Sequence, residues 1–250
     1  MELRVPPTWR SRAALWLGPF LELRMLLAVI GVAAAVWGFA AIHDEVREGE
    51  TLDFDHKVLL LFRDAANPAE PLGPGWLEGS IRDITGLGGM VIVMFTTLAT
   101  AGYLFLARKP GAACFVLAAI LGATLLSFGL KDLFVRARPE LVPHGVAVYT
   151  SSFPSGHATG AAATYLTLGA LIGRFQQHRL LKGYIMALAV LITVSVGLSR
   201  LYLGVHWPTD VLAGWTLGAG WALLCWIVAR LLQRRGAIEP EAELKEPVDG

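Results

Sequence analysis

The stretch GYIMALAVLITVSVGL, SRLYLGVHWPTD, VLAGWTLGAGWALLCWIVARLL, residues 183–232, decides the fold. Two long apolar runs, 183–198 and 211–232, flank an insert holding Ser199, Arg200, His206 and Asp210. About 20 consecutive apolar residues cross a bilayer. Charged groups next to such runs are costly, so a cluster of them at the seam marks a functional site.

Working outward, the same pattern recurs. Apolar runs at 25–42, 89–107, 111–130 and 157–172 precede the two already quoted. The run at 157–172 is short and rich in Gly, Ala and Thr, which places it centrally in a bundle, where small residues let helices approach. Composition agrees: 55% of the chain is apolar before its 27 glycines are counted, and only 16% is charged. Soluble proteins reach about 45–50% apolar with glycine included. The expected fold class is therefore all-α, a polytopic membrane protein of six transmembrane helices in a bundle. The membrane domain covers 1–235, and an acidic, disordered cytoplasmic tail covers 236–250. The basic N-terminal segment before the first run reads as the flank of an uncleaved span, because Glu22 and Arg24 interrupt the start of the run.

Loop charge sets the orientation. Counting loops alternately, thirteen Lys and Arg fall on the side of both termini and eight on the other. Cations favour the cytoplasm, so both termini are expected inside and the polar cluster outside. A net charge of +1 gives no surface for nucleic acid. Cys114 and Cys225 sit inside apolar runs and read as small buried hydrophobes.

The first external loop, 43–88, carries ten acids. Phe54, Val58, Leu61 and Phe62 recur at helical spacing behind Thr51 or Asp53 as N-cap, and a second short helix is expected near 76–84. These are read as interfacial helices, and the loop as a surface connector rather than a lid. Asp53-x-Asp55 resembles a metal site only superficially.

Topology brings two further polar stretches to the same face as Arg200–Asp210. One contains Lys131 and Arg138, the other Ser155, Gly156 and His157. A site for phosphoryl transfer needs cations around the non-bridging oxygens, a nucleophile and a proton donor. Lys131, Arg138 and Arg200 suit the first need, and Ser155-Gly156 at a helix start adds amide donors. His206 is the candidate nucleophile, with Asp210 fixing its tautomer, and His157 is the candidate general acid. Arg136 and His144, in the same loop, read as solvated rather than as an extension of the anion site. Trp207, Tyr202 and Tyr149 suit an aromatic belt or the lining of a lipid entry.

Lys131-x6-Arg138-Pro139, Pro154-Ser155-Gly156-His157 and Ser199-Arg200-x5-His206-x3-Asp210 together resemble the three-part signature of the type 2 phosphatidic acid phosphatase family, in residue type, spacing and order. The resemblance implies a lipid phosphatase of the bacterial cytoplasmic membrane whose site opens at the outer boundary. It implies a phosphohistidine at His206, with no metal and no other cofactor. Similar bacterial proteins act on phosphatidylglycerophosphate, phosphatidate or undecaprenyl diphosphate. A lipid A-type phosphatase or a lipid phosphotransferase shares this site, and an anion transporter is the alternative outside enzymes. The similar vanadium-dependent haloperoxidases are soluble, which the six apolar runs disfavour.

Overall fold

A computed structural model describes residues 23–140 and 151–239. Among the described residues it holds eight α-helices and no strand. They are α1 (Leu23–Glu48), α2 (Leu52–Leu60), α3 (Gly75–Gly86), α4 (Met90–Leu106), α5 (Pro110–Leu133), α6 (Gly156–Phe175), α7 (Arg179–Tyr202) and α8 (Pro208–Arg234). The six apolar runs emerge as α1 and α4 to α8. The two short helices expected in the first external loop are α2 and α3.

Four helices, α1, α5, α7 and α8, are long and apolar enough to cross a membrane. The 17-residue α4 reaches that standard only together with α3, from which it bends by 45°. α6 does not reach it. The reason is its place: α6 packs against α7 and α8, and Ala158, Ala161, Ala162 and Ala163 are fully buried. A helix ringed by neighbours needs small residues for close approach, not bulk for contact with lipid. The outer helices are built the opposite way, with Trp37, Leu106 and Leu180 turned outward and at least three-quarters exposed.

The crossing of α6 and α8 is set by Gly214 and Gly218. A Cβ at Gly214 would lie 2.8 Å from the Ser155 carbonyl oxygen, and one at Gly218 would lie 2.6 Å from that of Thr159. Any side chain there forces the two helices apart, and both carry site residues at their first turns.

Apolar packing is divided between the two ends. Leu104, Val116, Leu168, Leu171 and Ile238 form one cluster. Ala158, Leu201 and Val211, with Phe62 and Trp215 against them, form another beside the polar residues. Ile238 belongs to the segment expected to be disordered. Its described part, 236–239, instead folds onto the start of α5, where the Glu239 carboxylate accepts the Gly111 and Ala112 amides at 2.9 Å each. An acid at a helix N-terminus satisfies orphan donors and meets the positive end of the dipole. The expectations for the N-terminal basic segment, His144, Tyr149 and residues 240–250 lie outside the described residues.

Candidate active site

The three motifs meet at helix ends. Lys131 lies in the last turn of α5, Gly156 and His157 open α6, Arg200 lies in the last turn of α7, and Asp210 sits in the first turn of α8. Pro208 occupies the first helical turn, where its fixed φ and missing N–H cost nothing. The Asp210 carboxylate folds back to accept the Trp207 amide at 2.9 Å, closing the turn that carries His206. The Ser155 amide donates to the Asp210 carbonyl at 3.0 Å, so the starts of α6 and α8 are joined directly.

His206 is 2% exposed. Its Nε2 stands 3.2 Å from Arg138 Nη1. A guanidinium only donates, so Nε2 is the acceptor and the ring proton resides on Nδ1. That nitrogen faces the Ser152 hydroxyl at 3.3 Å and Asp210 Oδ2 at 3.5 Å. Ser152 in turn donates to Asp210 Oδ2 at 2.5 Å. The histidine–carboxylate contact is thus long for a hydrogen bond, and the Ser152 hydroxyl bridges it. Burial pulls the His206 pKa down to about 3, against the opposing pull of Asp210 and with Arg200 and Arg138 adding to the fall. The ring is neutral at physiological pH, with its Nε2 lone pair available. Arg138 also donates to the Val205 carbonyl at 2.8 Å, and burial lowers its pKa.

Lys131, Arg138, Gly156, His157, Arg200 and His206 line one cavity of about 890 Å³. Lys131 Nζ donates to the Ser151 carbonyl at 2.8 Å, and its chain passes close over Gly156, where a Cβ would sit 3.4 Å from Lys131 Cε. Arg200 Nη1 donates to Thr85 Oγ1 at 2.9 Å, while its Nε is buried without a partner. Ser155 departs from expectation. It is fully buried, its hydroxyl accepts the Ala158 amide, and it does not line the cavity. It acts as the N-cap of α6, which leaves Gly156 as the member of that pair beside the cavity. Among the described residues no group of three or more His, Cys, Asp or Glu has the arrangement of a metal site.

A second layer escaped the sequence. Arg136, read as solvated, has a side chain only 12% exposed and bridges two buried carboxylates, Asp55 Oδ2 and Asp210 Oδ1, at 2.6 Å each. Asp55 also accepts the Thr209 amide at 2.9 Å and the Thr209 hydroxyl at 2.7 Å. A residue of α2 therefore caps the helix that carries Asp210. Such a cap is invisible in the sequence because 154 positions separate the partners.

The 43–88 loop is accordingly no mere connector. Arg63 Nη2 donates to the Tyr202 carbonyl at 2.7 Å, and the Tyr202 hydroxyl returns a bond to the Leu72 carbonyl at 2.7 Å. Arg63 and the α3 residues Glu78, Arg82 and Thr85 line the cavity. Trp207 and Tyr202 are buried and do not form an aromatic belt. The Trp207 indole donates to the Ala137 carbonyl at 2.9 Å under the Arg136 guanidinium, 5.7 Å from the ring centroid. Tyr202 does line the cavity. Of the two cysteines, Cys225 is buried as expected and Cys114 is exposed.

Arg136 is the cation shared by two buried carboxylates, so its loss leaves both without that ion pair. Arg136→Met is expected to cost about 3–5 kcal/mol of stability, as breaking a buried pair does. Adding Asp55→Asn is expected to cost less than the sum of the two single changes. Denaturation of the purified single and double variants measures both.

Residues 112–234 match the PAP2 superfamily model. The chain is 33% identical over 147 residues to phosphatidylglycerophosphatase B of Bacillus subtilis, covering 57% of this chain and 70% of the relative. It is 29% identical over 168 residues to lipid A 1-phosphatase of Rhizobium johnstonii, covering 58% and 65%. Among solved structures it is similar to the transmembrane PAP2-type phosphatidylglycerolphosphate phosphatase of Bacillus subtilis. That match has a TM-score of 0.69 and 26% identity, and it covers 81% of this chain and 98% of the other.

Proposed function

The chain belongs to the PAP2 superfamily and is a phosphatase, and we propose that it hydrolyses a lipid phosphate monoester or diphosphate through a phosphohistidine at His206, without metal. The single observation that carries the lipid assignment is the composition of the cavity. The walls that hold Lys131, Arg138, Arg200, His157 and His206 continue into Met94, Leu98, Leu117, Leu121 and Phe128 of α4 and α5. A charged phosphate site opening along an apolar wall fits a substrate with a polar head and a greasy tail.

In this reading Lys131, Arg138 and Arg200 take the non-bridging oxygens, with the amide of Gly156 at the start of α6 beside them. A phosphate oxygen replaces His206 Nε2 as the acceptor for Arg138, freeing the ring nitrogen to attack. The Nε2–P bond forms as the P–O bond to the lipid breaks. His157 gives its proton to the departing lipid oxygen, then draws one from water. That water attacks phosphorus, the N–P bond breaks, and inorganic phosphate leaves. Asp210, with Ser152, holds the Nδ1 proton and stabilises the positive charge that the ring acquires. Charge development is met by fixed groups, so catalysis is chiefly electrostatic.

The same reading places six helices across a bacterial cytoplasmic membrane, α4 and α6 among them, with the site on the outer side. The excess of Lys and Arg on the side of both termini supports this orientation. A lipid A-type substrate uses the same groups and is separated only by substrate tests. The transporter alternative falls away, since relatives matched over more than half of this chain are named phosphatases.

The test is phosphate release in detergent with EDTA present, across phosphatidate, phosphatidylglycerophosphate and undecaprenyl diphosphate. Release is expected to persist in EDTA and to be blocked by vanadate, which adopts the five-coordinate geometry of the transition state. Activity that chelation abolishes and a divalent cation restores would overturn the metal-free mechanism.

A further inference from the structure

Among the described residues, only two side-chain nitrogens are buried without a hydrogen-bond partner: Nε of Arg200 and Nε of Arg63. Both arginines line the same cavity. Arg200 belongs to the phosphate-binding signature, whereas Arg63 comes from the first external loop and belongs to no motif. It is 4% exposed. Burial lowers its pKa, against the opposing pull of Tyr202 and Glu78. A buried, incompletely paired guanidinium is costly unless an anion arrives.

Its surroundings say where that anion lies. Arg63 Nη2 holds the Tyr202 carbonyl, in the same last turn of α7 as Arg200. Across the cavity, Arg200 touches Thr85 of α3. Thr85, Arg82 and Glu78 fall at helical spacing on one face of α3, and all three line the cavity. Arg82 is therefore about one turn, roughly 5 Å of helix rise, beyond the residue that contacts Arg200. Its Nη2 and Nε both reach Glu78 Oε1, at 2.6 and 3.1 Å, and this pair is partly open to solvent. Two arginines share one acid here, leaving a net positive charge next to the phosphate site.

We infer that Arg63 and Arg82 form a second anion subsite, which takes the second phosphate of a lipid headgroup carrying two. This rests on the lipid phosphatase reading and narrows it. The transferred phosphate is held by Lys131, Arg138 and Arg200, and the other phosphate is held between α3 and the end of α7. Glu78 keeps the Arg82 guanidinium oriented and limits the net charge, so a single phosphate is not drawn into the outer subsite in place of the reacting one.

The experiment compares kcat/KM of the full-length protein in detergent on three lipids. Phosphatidate carries one phosphate, phosphatidylglycerophosphate two separated by glycerol, and undecaprenyl diphosphate two directly joined. Arg82→Gln removes a partly exposed side chain bonded to Glu78. It is expected to lower the ratio of two-phosphate to one-phosphate kcat/KM by about 10- to 100-fold, the cost of a charge-assisted hydrogen bond. Arg63→Lys, which keeps the charge but not the fork, is expected to lower the same ratio. Loss for only one of the two-phosphate lipids identifies which spacing the subsite accepts. An unchanged ratio in Arg82→Gln, or an equal fall on all three lipids, overturns the subsite. If the wild type cleaves none of the three lipids in a His206-dependent way, the proposed reading of a phosphatase for these lipids has failed, rather than the subsite alone.

Discussion

Replacing His206 by alanine is expected to lower lipid phosphate release by on the order of 10⁴-fold or more, as removal of a covalent nucleophile does. The loss belongs to kcat, because the cations that bind phosphate remain. The ring offers one lone pair, on Nε2, and Arg138 at 3.2 Å marks the direction from which an anion approaches. Rapid alkaline quenching of the wild type with labelled substrate is expected to trap acid-labile phosphate on the protein, and His206→Ala is expected to trap none. Label on the alanine variant would assign the nucleophile elsewhere. The same residue also leaves a mark on stability. Its folded pKa, about 3, lies below the roughly 6.5 of an unfolded histidine. The unfolded chain therefore takes up the proton first, and stability is lost as pH falls from about 6.5 towards 3. His206→Gln is expected to show a shallower loss over that window.

The second large effect is expected at Asp210. Asn in its place keeps the size and one carbonyl acceptor but presents an amide where Oδ2 now receives the Trp207 N–H and the Ser152 hydroxyl. An NH₂ group there opposes the Nδ1 proton of His206 and favours the tautomer with its proton on Nε2, which cannot attack. Asp210→Asn is expected to lower kcat by on the order of 10³- to 10⁴-fold, with KM changed much less. Steady-state kinetics on any lipid that the wild type cleaves measures the division. A fall in kcat/KM arising wholly from KM would mean that Asp210 acts in binding and not through His206.

What could be read in advance depended on how far apart the partners lie in the chain. His206 and Asp210 are four positions apart, and their apolar flanks are contiguous, so their pairing and their place at a helix start were open to a reading of spacing alone. Lys131, His157 and Arg200 followed from topology, because odd-numbered loops share a face. Arg136 was misread, since a charged loop residue is ordinarily solvated, and nothing local announces that Asp55 arrives from α2 to meet it. Ser155 was placed correctly at the start of α6, but its hydroxyl serves the helix rather than the cavity. The periodicity of the loop of α2 and α3 shows its two helices but not what they pack against, so its place as a wall of the site was not legible. α6 shows the limit of hydropathy, because a run of Ala, Gly and Thr reports close packing more than contact with lipid.

The cap that Asp55 provides to α8 has a consequence for the order in which the protein is made. Asp55 leaves the ribosome long before Thr209 and Asp210, and Arg136 emerges between them. Until the last helix arrives, Asp55 has Arg136 but lacks the Thr209 amide and hydroxyl, and Arg136 lacks its second carboxylate, Asp210. Insertion of α8 then brings Asp210 up to His206 and gives Arg136 its second carboxylate in one event. A chain halted before that event holds Lys131, Arg138 and Arg200 without Asp210, so an incompletely synthesised copy is expected to be silent.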